Sequence, residues 1–338
     1  MRPMTTLPFL TLLAGCSPAI NRITTKRVIP AMMAIPDLEI ACSFGNTVVG
    51  GVASVKPKAP AEQAMLLAHV ASGICAELDA REHKLDALVA LHTIPGPERA
   101  AAAADHRIQS QRAYATAARR YNTAWLYTLD TFGLDCPRLK PREESLYLAG
   151  MIAGVLGLIS DAAAGQPYNL PQNILLEAGR GASCLDDDIW WGVPGALQAA
   201  AWATVPGSAP EGTDPWAILE SAAAKGDAAG VSVARALQVF TAANAGDDDL
   251  LHAAIVAHGA APVAERAPEW VLLDEYARSL TLFESDQIWL RAAGRRTESL
   301  GTLPGRSNVD SPFGESPDPF GEDPFGTPEP SNDDEETP

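Results

Sequence analysis

Thiols, imidazoles and clustered carboxylates are the groups in this chain with chemistry to offer, and their spacing narrows what that chemistry can be. Five cysteines occur, at Cys16, Cys42, Cys75, Cys136 and Cys184. No two stand in a C-x-x-C pair, so thiolate coordination of zinc is not indicated. In an oxidising compartment the last four can form one or two disulfides; alternatively they are four buried thiols behaving as small hydrophobes. Cys42 and Cys75 fall on successive predicted helices and Cys136 and Cys184 near helix ends, which leaves the pairing open. The six histidines, His69, His83, His92, His106, His252 and His258, are never three or four residues apart, so no single helix face carries a histidine metal pair. Asp186-Asp187-Asp188 and Asp247-Asp248-Asp249 lack the alternating acidic pattern and central glycine of a calcium loop. Both are read as openings of helices, where carboxylates cap backbone N–H groups and meet the positive end of the dipole. G-x-S-x-G, H-E-x-x-H, P-loop and G-x-G-x-x-G motifs are all missing, and Gly179-Arg180-Gly181-Ala182-Ser183 is only superficially a glycine-rich loop. The reading is therefore a protein that binds rather than reacts, with no enzyme activity, cofactor or metal expected.

Cys16 differs from the others in context. Arg2 supplies a positive start, and an apolar run from Leu7 to Ala14 follows. That run is far short of the roughly 20 residues a membrane-spanning helix needs, and it ends in small residues, as a secretory signal does. Leu13-Ala14-Gly15-Cys16 looks like the lipobox of bacterial lipoproteins. This implies a signal peptide over 1–15, removal of it by a peptidase, and acylation (palmitate-type) of Cys16 as the new N-terminus. Several acyl chains on one residue, at about 0.8 kcal/mol per buried methylene, anchor stably to a lipid membrane. Ser17 stands where an Asp often retains such proteins at the inner membrane, so the expected place is the cell envelope, at the outer membrane facing the periplasm. An ordinary signal peptide with an incidental cysteine is the alternative.

The formal charge is −17, of which the segment Ser307–Pro338, with ten acidic and no basic residues, supplies −10. Nucleic-acid binding draws its affinity from Lys and Arg neutralising phosphates, so no nucleic acid is expected as a partner. Anionic headgroups would repel the same surface, leaving the lipid as the means of attachment. Apolar residues make up 47% of the chain, within the globular range. Alanine, the best helix former, is abundant, while β-branched alternation is scarce.

The elements that must hold any site are accordingly helices. Apolar spacing predicts helices from Leu38 to just before Lys56-Pro57, from Pro60 to His92, and from Glu98 to Leu129 closing at Gly133. Pro141 opens another, whose residues Ser145 to Leu158 form a fourteen-residue run without charge. Further helices are expected at Pro171–Gly179, Asp186–Thr204 with a break at Gly192-Val193-Pro194, Asp214–Lys225, Ala228–Ala243, Asp247–His258 and Pro268–Arg295. The fold class is all-α, about ten helices in a helical-hairpin array resembling a tetratricopeptide-like α-solenoid over 16–300. From Gly301 the chain turns acidic and proline-rich, with Pro-Phe-Gly at 312–314, 319–321 and 324–326, and is read as a disordered tail, 301–338.

Two features suggest a place to bind. Gly150, Gly154 and Gly157 share the uncharged helix, and each must allow close backbone approach by a neighbouring helix or by a ligand. Trp190 and Trp191 are adjacent, so on a helix they point about 100° apart and cannot share one core face. One of them is then free to line a groove or interface.

The order of features resembles TatT-type lipoproteins, the T components associated with tripartite ATP-independent periplasmic (TRAP) transporters. The residues carrying the resemblance are Cys16, Ile20-Asn21-Arg22-Ile23, Asp37-Leu38-Glu39, Ala115-Thr116-Ala117-Ala118-Arg119-Arg120-Tyr121, Glu144-Ser145-Leu146-Tyr147-Leu148-Ala149-Gly150 and Leu290-Arg291-Ala292-Ala293. They span most of residues 16–300 and exclude the acidic tail. The resemblance implies a TPR-like helical fold able to assemble as a homotrimer with an apolar channel. It also implies docking with a periplasmic solute-binding protein that carries a ligand such as an organic acid. Tyr147, Gly150, Met151 and Gly154, with Trp190 or Trp191, are the residues whose position and type suit such a channel. A helical-repeat scaffold lipoprotein for envelope protein–protein interaction is the second reading.

Overall fold

The computed structural model describes residues 26–27, 29–53, 62–263 and 266–304. The expected signal peptide, Cys16, the Ile20–Ile23 motif, the helix end expected at Lys56-Pro57 and the Pro-Phe-Gly tail lie outside the described residues.

Eleven α-helices and no strand occur among the described residues. They are α1 (Ile29–Met33), α2 (Leu38–Ala53), α3 (Glu62–Thr93), α4 (Glu98–Phe132), α5 (Pro141–Ala163), α6 (Ile174–Ala182), α7 (Val193–Thr204), α8 (Pro215–Ala229), α9 (Val233–Ala245), α10 (Asp248–Ala260) and α11 (Val271–Ala293). The all-α array of helical hairpins expected from the sequence is the architecture found. Chain breakers fall where the periodicity stops: Gly96 (φ +74°) turns α3 into α4, and Gly133 (φ +74°) ends α4 by donating its N–H to the Leu129 carbonyl. Carboxylates start helices as anticipated. Asp37 Oδ1 accepts from the N–H groups of Glu39 and Ile40 at 2.9 and 3.0 Å, Asp214 caps α8, and Asp247 Oδ1 accepts from Leu250 N–H at 3.0 Å.

Two sequence expectations need correction. The stretch Asp186–Gly192 is a series of turns, and α7 begins only at Val193. Asp186 Oδ1 accepts from Asp188 and Ile189 N–H within those turns, while Asp187 Oδ1 reaches forward to Gly195 N–H at 2.8 Å. The acidic run therefore caps α7 from a loop instead of opening a helix. Likewise Gly230, at φ +72°, ends α8 and forces a new start, so the next helix begins at Val233 and not at Ala228.

The spine is the α3/α4 hairpin, 32 and 35 residues long and thus about 48 and 53 Å at 1.5 Å per residue. Its interface is built from buried Ala80, Ala87, Ala103, Ala117 and Ala118, whose small side chains let two long helices run close together. Next, α5 packs along α4 through the glycines singled out in the sequence. A Cβ at Gly150 would collide with Thr128 Oγ1, one at Gly154 would lie 2.7 Å from the Trp125 ring, and one at Gly157 would lie 3.3 Å from Tyr121 Cβ. These positions recur at one helix face, and each is filled by the neighbouring helix. By length and composition α5 could cross a membrane, but 72% of its apolar window is buried inside the protein.

From α6 to α10 shorter helices continue the array, and α9 packs against α7, α8, α10 and α11. Then α11 returns to the spine. Tyr276 on α11 donates its hydroxyl to Glu77 of α3 at 2.7 Å, and Arg296 just beyond α11 makes two bonds to Glu82 of α3, at 3.1 and 2.8 Å. The stack of hairpins is thereby closed across its open side. Two disulfides bind neighbouring segments: Cys42–Cys75 joins α2 to α3, and Cys136–Cys184 joins the α4–α5 link to the residues after α6. Both have Cα–Cα distances of 5.1 Å, within the range a disulfide spans.

One buried group makes stability depend on pH. His258 at the end of α10 is fully buried, with Nδ1 2.7 Å from Thr281 Oγ1 and Nε2 without a partner. Burial, reinforced by the charges of Arg278 and Arg235, pulls its pKa from 6.5 down to about 3. Between those values the unfolded chain binds the proton and the folded chain does not. The contribution is therefore intact above pH 6.5 and is lost as pH falls toward 3, at up to ~1.4 kcal/mol per pH unit. Urea unfolding of wild type and His258→Gln at pH 7.5 and 4.5 should show a shallower acid loss in the variant. Equal losses in both would refute the assignment.

Candidate functional site

A cleft of about 670 Å³ lies between the spine and the returning helices. This is within the range of small-molecule sites. Apolar wall comes from Val155, Leu158 and Ile159 on α5, Leu237 and Phe240 on α9, and Leu280 and Phe283 on α11. Gln172, Thr204, Asn244 and Asp248 add polar atoms elsewhere along the lining.

The part of the lining made by α3, α4 and the second half of α11 is charged: Glu77, Arg81, Lys84, Tyr114, Glu284, Gln287 and Arg291. Its centre is Glu77, 2% exposed, four residues before Arg81, 6% exposed, so one helical face presents both. Glu77 Oε1 pairs with Arg81 Nη2, while Oε2 accepts the hydroxyls of Tyr121 at 2.6 Å and Tyr276 at 2.7 Å. Three helices, α3, α4 and α11, thus converge on one carboxylate. Burial works against the Arg81 charge, but Glu77 and the tyrosines around it hold the guanidinium firmly protonated. Burial raises all three neighbouring phenols, Tyr114, Tyr121 and Tyr276, well above the ordinary tyrosine range, so they stay neutral hydrogen-bond donors.

Glu77 is saturated; Arg81 is not. Its Nη1 is buried with no hydrogen-bond partner of good geometry, although Tyr114 is close enough to interact with the guanidinium. The guanidinium also lies over the Phe283 ring at 5.5 Å, and the Lys84 ammonium lies 5.4 Å from the same ring. Glu284 is held by Gln287 Nε2 at 2.7 Å. Burial pushes its carboxyl above the ordinary range against the pull of Lys84, Arg81 and Arg291. In this part of the lining three basic groups, Lys84 among them with its pKa lowered by burial, face two acidic ones, and Asp248 is a third carboxylate elsewhere along the cleft. A guanidinium with spare donors beside an apolar wall can receive a carboxylate while the rest of the molecule lies against hydrocarbon.

The residues expected from the sequence to line a channel sit elsewhere. Tyr147 and Met151 are fully buried against Gly181 of α6, with Phe132 edge-on to Tyr147 at 5.9 Å. The Tyr147 hydroxyl is buried without a partner. Gly150 and Gly154 are occupied by Thr128 and Trp125 of α4. Trp190 and Trp191 are 6% and 8% exposed and form a cluster with Trp270, at ring distances of 5.3, 6.0 and 4.9 Å. Trp190 Nε1 donates to Glu144 at 3.0 Å. The helical argument about the two tryptophans fails because they lie in turns. At φ +54°, Trp191 reverses the chain locally, so both rings reach the same core. None of the six lines the cleft.

The groups that do line it went unnoticed in the sequence. The one available signal was a Glu–Arg pair at i and i+4 within the otherwise apolar stripe of the Pro60–His92 segment, a pattern ordinarily found on a solvated face. The protein-family models, the curated proteins and the solved structures contain no significant match to this chain.

Proposed function

We propose that this chain is an exported, lipid-anchored envelope protein that accepts a small amphipathic organic anion in the α3/α4/α9/α11 cleft. It serves as an accessory to a TRAP-type uptake system, taking the anion from a periplasmic solute-binding protein. The observation that carries the reading is the pairing, in one cavity, of an apolar wall with Arg81, whose buried Nη1 has no hydrogen-bond partner of good geometry, Tyr114 being its near neighbour. Arg is the residue suited to fixing a planar carboxylate, and apolar lining with a few convergent polar groups is what a small-molecule site requires. Two disulfides favour an oxidising compartment, in keeping with the lipobox-like Leu13–Cys16. The resemblance to TatT-type lipoproteins supplies the transport context and the proposed partner; the likeness to their channel-lining residues is set aside in favour of the cleft.

The test is direct binding of straight-chain monocarboxylates of graded length to the mature chain, followed by displacement of an environment-sensitive fluorescent carboxylate. Affinity should rise with chain length until the cleft is filled. Lys84→Met and Arg291→Gln should weaken it, and Arg81→Met should weaken it about 10- to 100-fold, the worth of a hydrogen bond to a charged group. Length-independent binding, or none, rejects the cleft as a ligand site. Crosslinking in envelope extract that captures other proteins equally well with wild type and Arg81→Met would favour the scaffold reading.

A further inference from the structure

The histidines that share no helix face in the sequence meet across two helices. His83 and Asp86 stand one turn apart on α3, and His106 approaches from α4. One ring nitrogen of each histidine and one Asp86 oxygen all lie within 4.8 Å of one another. The imidazole ring centres are 6.0 Å apart, and both Nδ1 atoms are buried with no hydrogen-bond partner. Two imidazoles sharing a tetrahedral zinc, with bonds near 2.0–2.1 Å, would hold their ring centres roughly 5 Å apart. Closing that difference takes less than the movement of a single side-chain rotation.

The surroundings suit a cation. His83 Nε2 lies 3.7 Å from Asp79 Oδ1, too far for a hydrogen bond but near enough for the carboxylate to favour a cation here, and Nδ1 has no partner. Asp86 is the loosely held acid of its neighbourhood. Arg296 sits 3.6 Å from it while making two bonds to Glu82, so Asp86 can turn to a metal without stranding the guanidinium. Beside the site, Ala87, Ala90 and Ala103 bury the hairpin interface and keep the two backbones close.

We propose that His83, Asp86 and His106 bind one divalent transition-metal ion, Zn²⁺ foremost, which clips α3 to α4. Two imidazoles and one carboxylate match Zn²⁺ chemistry and leave one coordination position for water. Mg²⁺ and Ca²⁺, which demand six or more oxygens, are not suited to this donor set. The site is separate from the anion cleft and stands whether or not that cleft is used.

The experiment uses the full mature chain, free of any histidine tag and stripped with chelator. Co²⁺ should give visible absorption that one equivalent of Zn²⁺ removes, and neither Ca²⁺ nor Mg²⁺ should compete. Zinc should raise the thermal midpoint of wild type and of His252→Ala, but not of His83→Ala or His106→Ala. Asp86→Asn should weaken binding at least about 10-fold. On wild type alone, imidazole ¹⁵N spectra should show zinc shifting two histidines and leaving the others unmoved. This reading stands even if a variant folds poorly. No saturable binding, shifts at other histidines, or undiminished binding in His83→Ala/His106→Ala overturns the proposal.

Discussion

Replacing Glu77 with leucine is expected to destabilise the protein by about 3–5 kcal/mol, the cost of leaving a buried charge without its partner. The substitution strands the Arg81 guanidinium, 6% exposed, and removes the acceptor for two buried tyrosine hydroxyls. Each orphaned hydroxyl adds to the loss, because a buried polar group gave up its water to be there. Double replacement, Glu77→Leu with Arg81→Met, should recover much of the stability, since an ion pair exchanged for apolar groups of similar volume is often neutral. The check is a set of urea-unfolding curves for wild type, both single variants and the double variant. A single variant within 1 kcal/mol of wild type, on the order of a surface change, would show that Glu77 is not the hub the geometry makes it.

Loss of the disulfides is the second large effect. In the chain-entropy account, closing loops of 33 and 48 residues constrains the unfolded chain by about 4 kcal/mol each. Cys42→Ala/Cys75→Ala and Cys136→Ala/Cys184→Ala should each lower the unfolding midpoint, and reducing agent should lower wild type toward the sum of the two. The Cys136–Cys184 pair, with Cys136 exposed, should be reduced first under native conditions. Thiol titration of the unfolded, unreduced chain should find no free sulfhydryl among these four. Four titratable thiols would restore the alternative of buried cysteines.

The fold was largely legible in the residues because its boundaries are written in local chemistry. Pro95-Gly96-Pro97, Gly133, Pro141 and the capping aspartates mark helix ends through backbone geometry alone. Gly150, Gly154 and Gly157 announced a close approach, and α4 makes it. The site was not legible, for an equally physical reason. Glu77 and Arg81 look like any surface pair until α11 closes over them, and nothing in their own helix foretells that closure. His83 and His106 belong to different helices, so their encounter depends on the pitch and register of a hairpin, which no spacing rule along one helix captures. Trp190 and Trp191 misled because a turn was read as a helix, and the angle between neighbouring side chains follows the backbone.

The hydroxyl of Tyr276 and the carboxylate of Glu77 are 199 residues apart in the chain. Contacts of such long range slow folding, since loop entropy must be spent before they give anything back. The cleft is therefore a late product of folding: a nascent chain halted before the final helix could have its spine and still lack one wall of the cleft. On the function proposed above, ligand capture would report on completed folding, and a partner sensing the filled cavity would ignore unfinished copies.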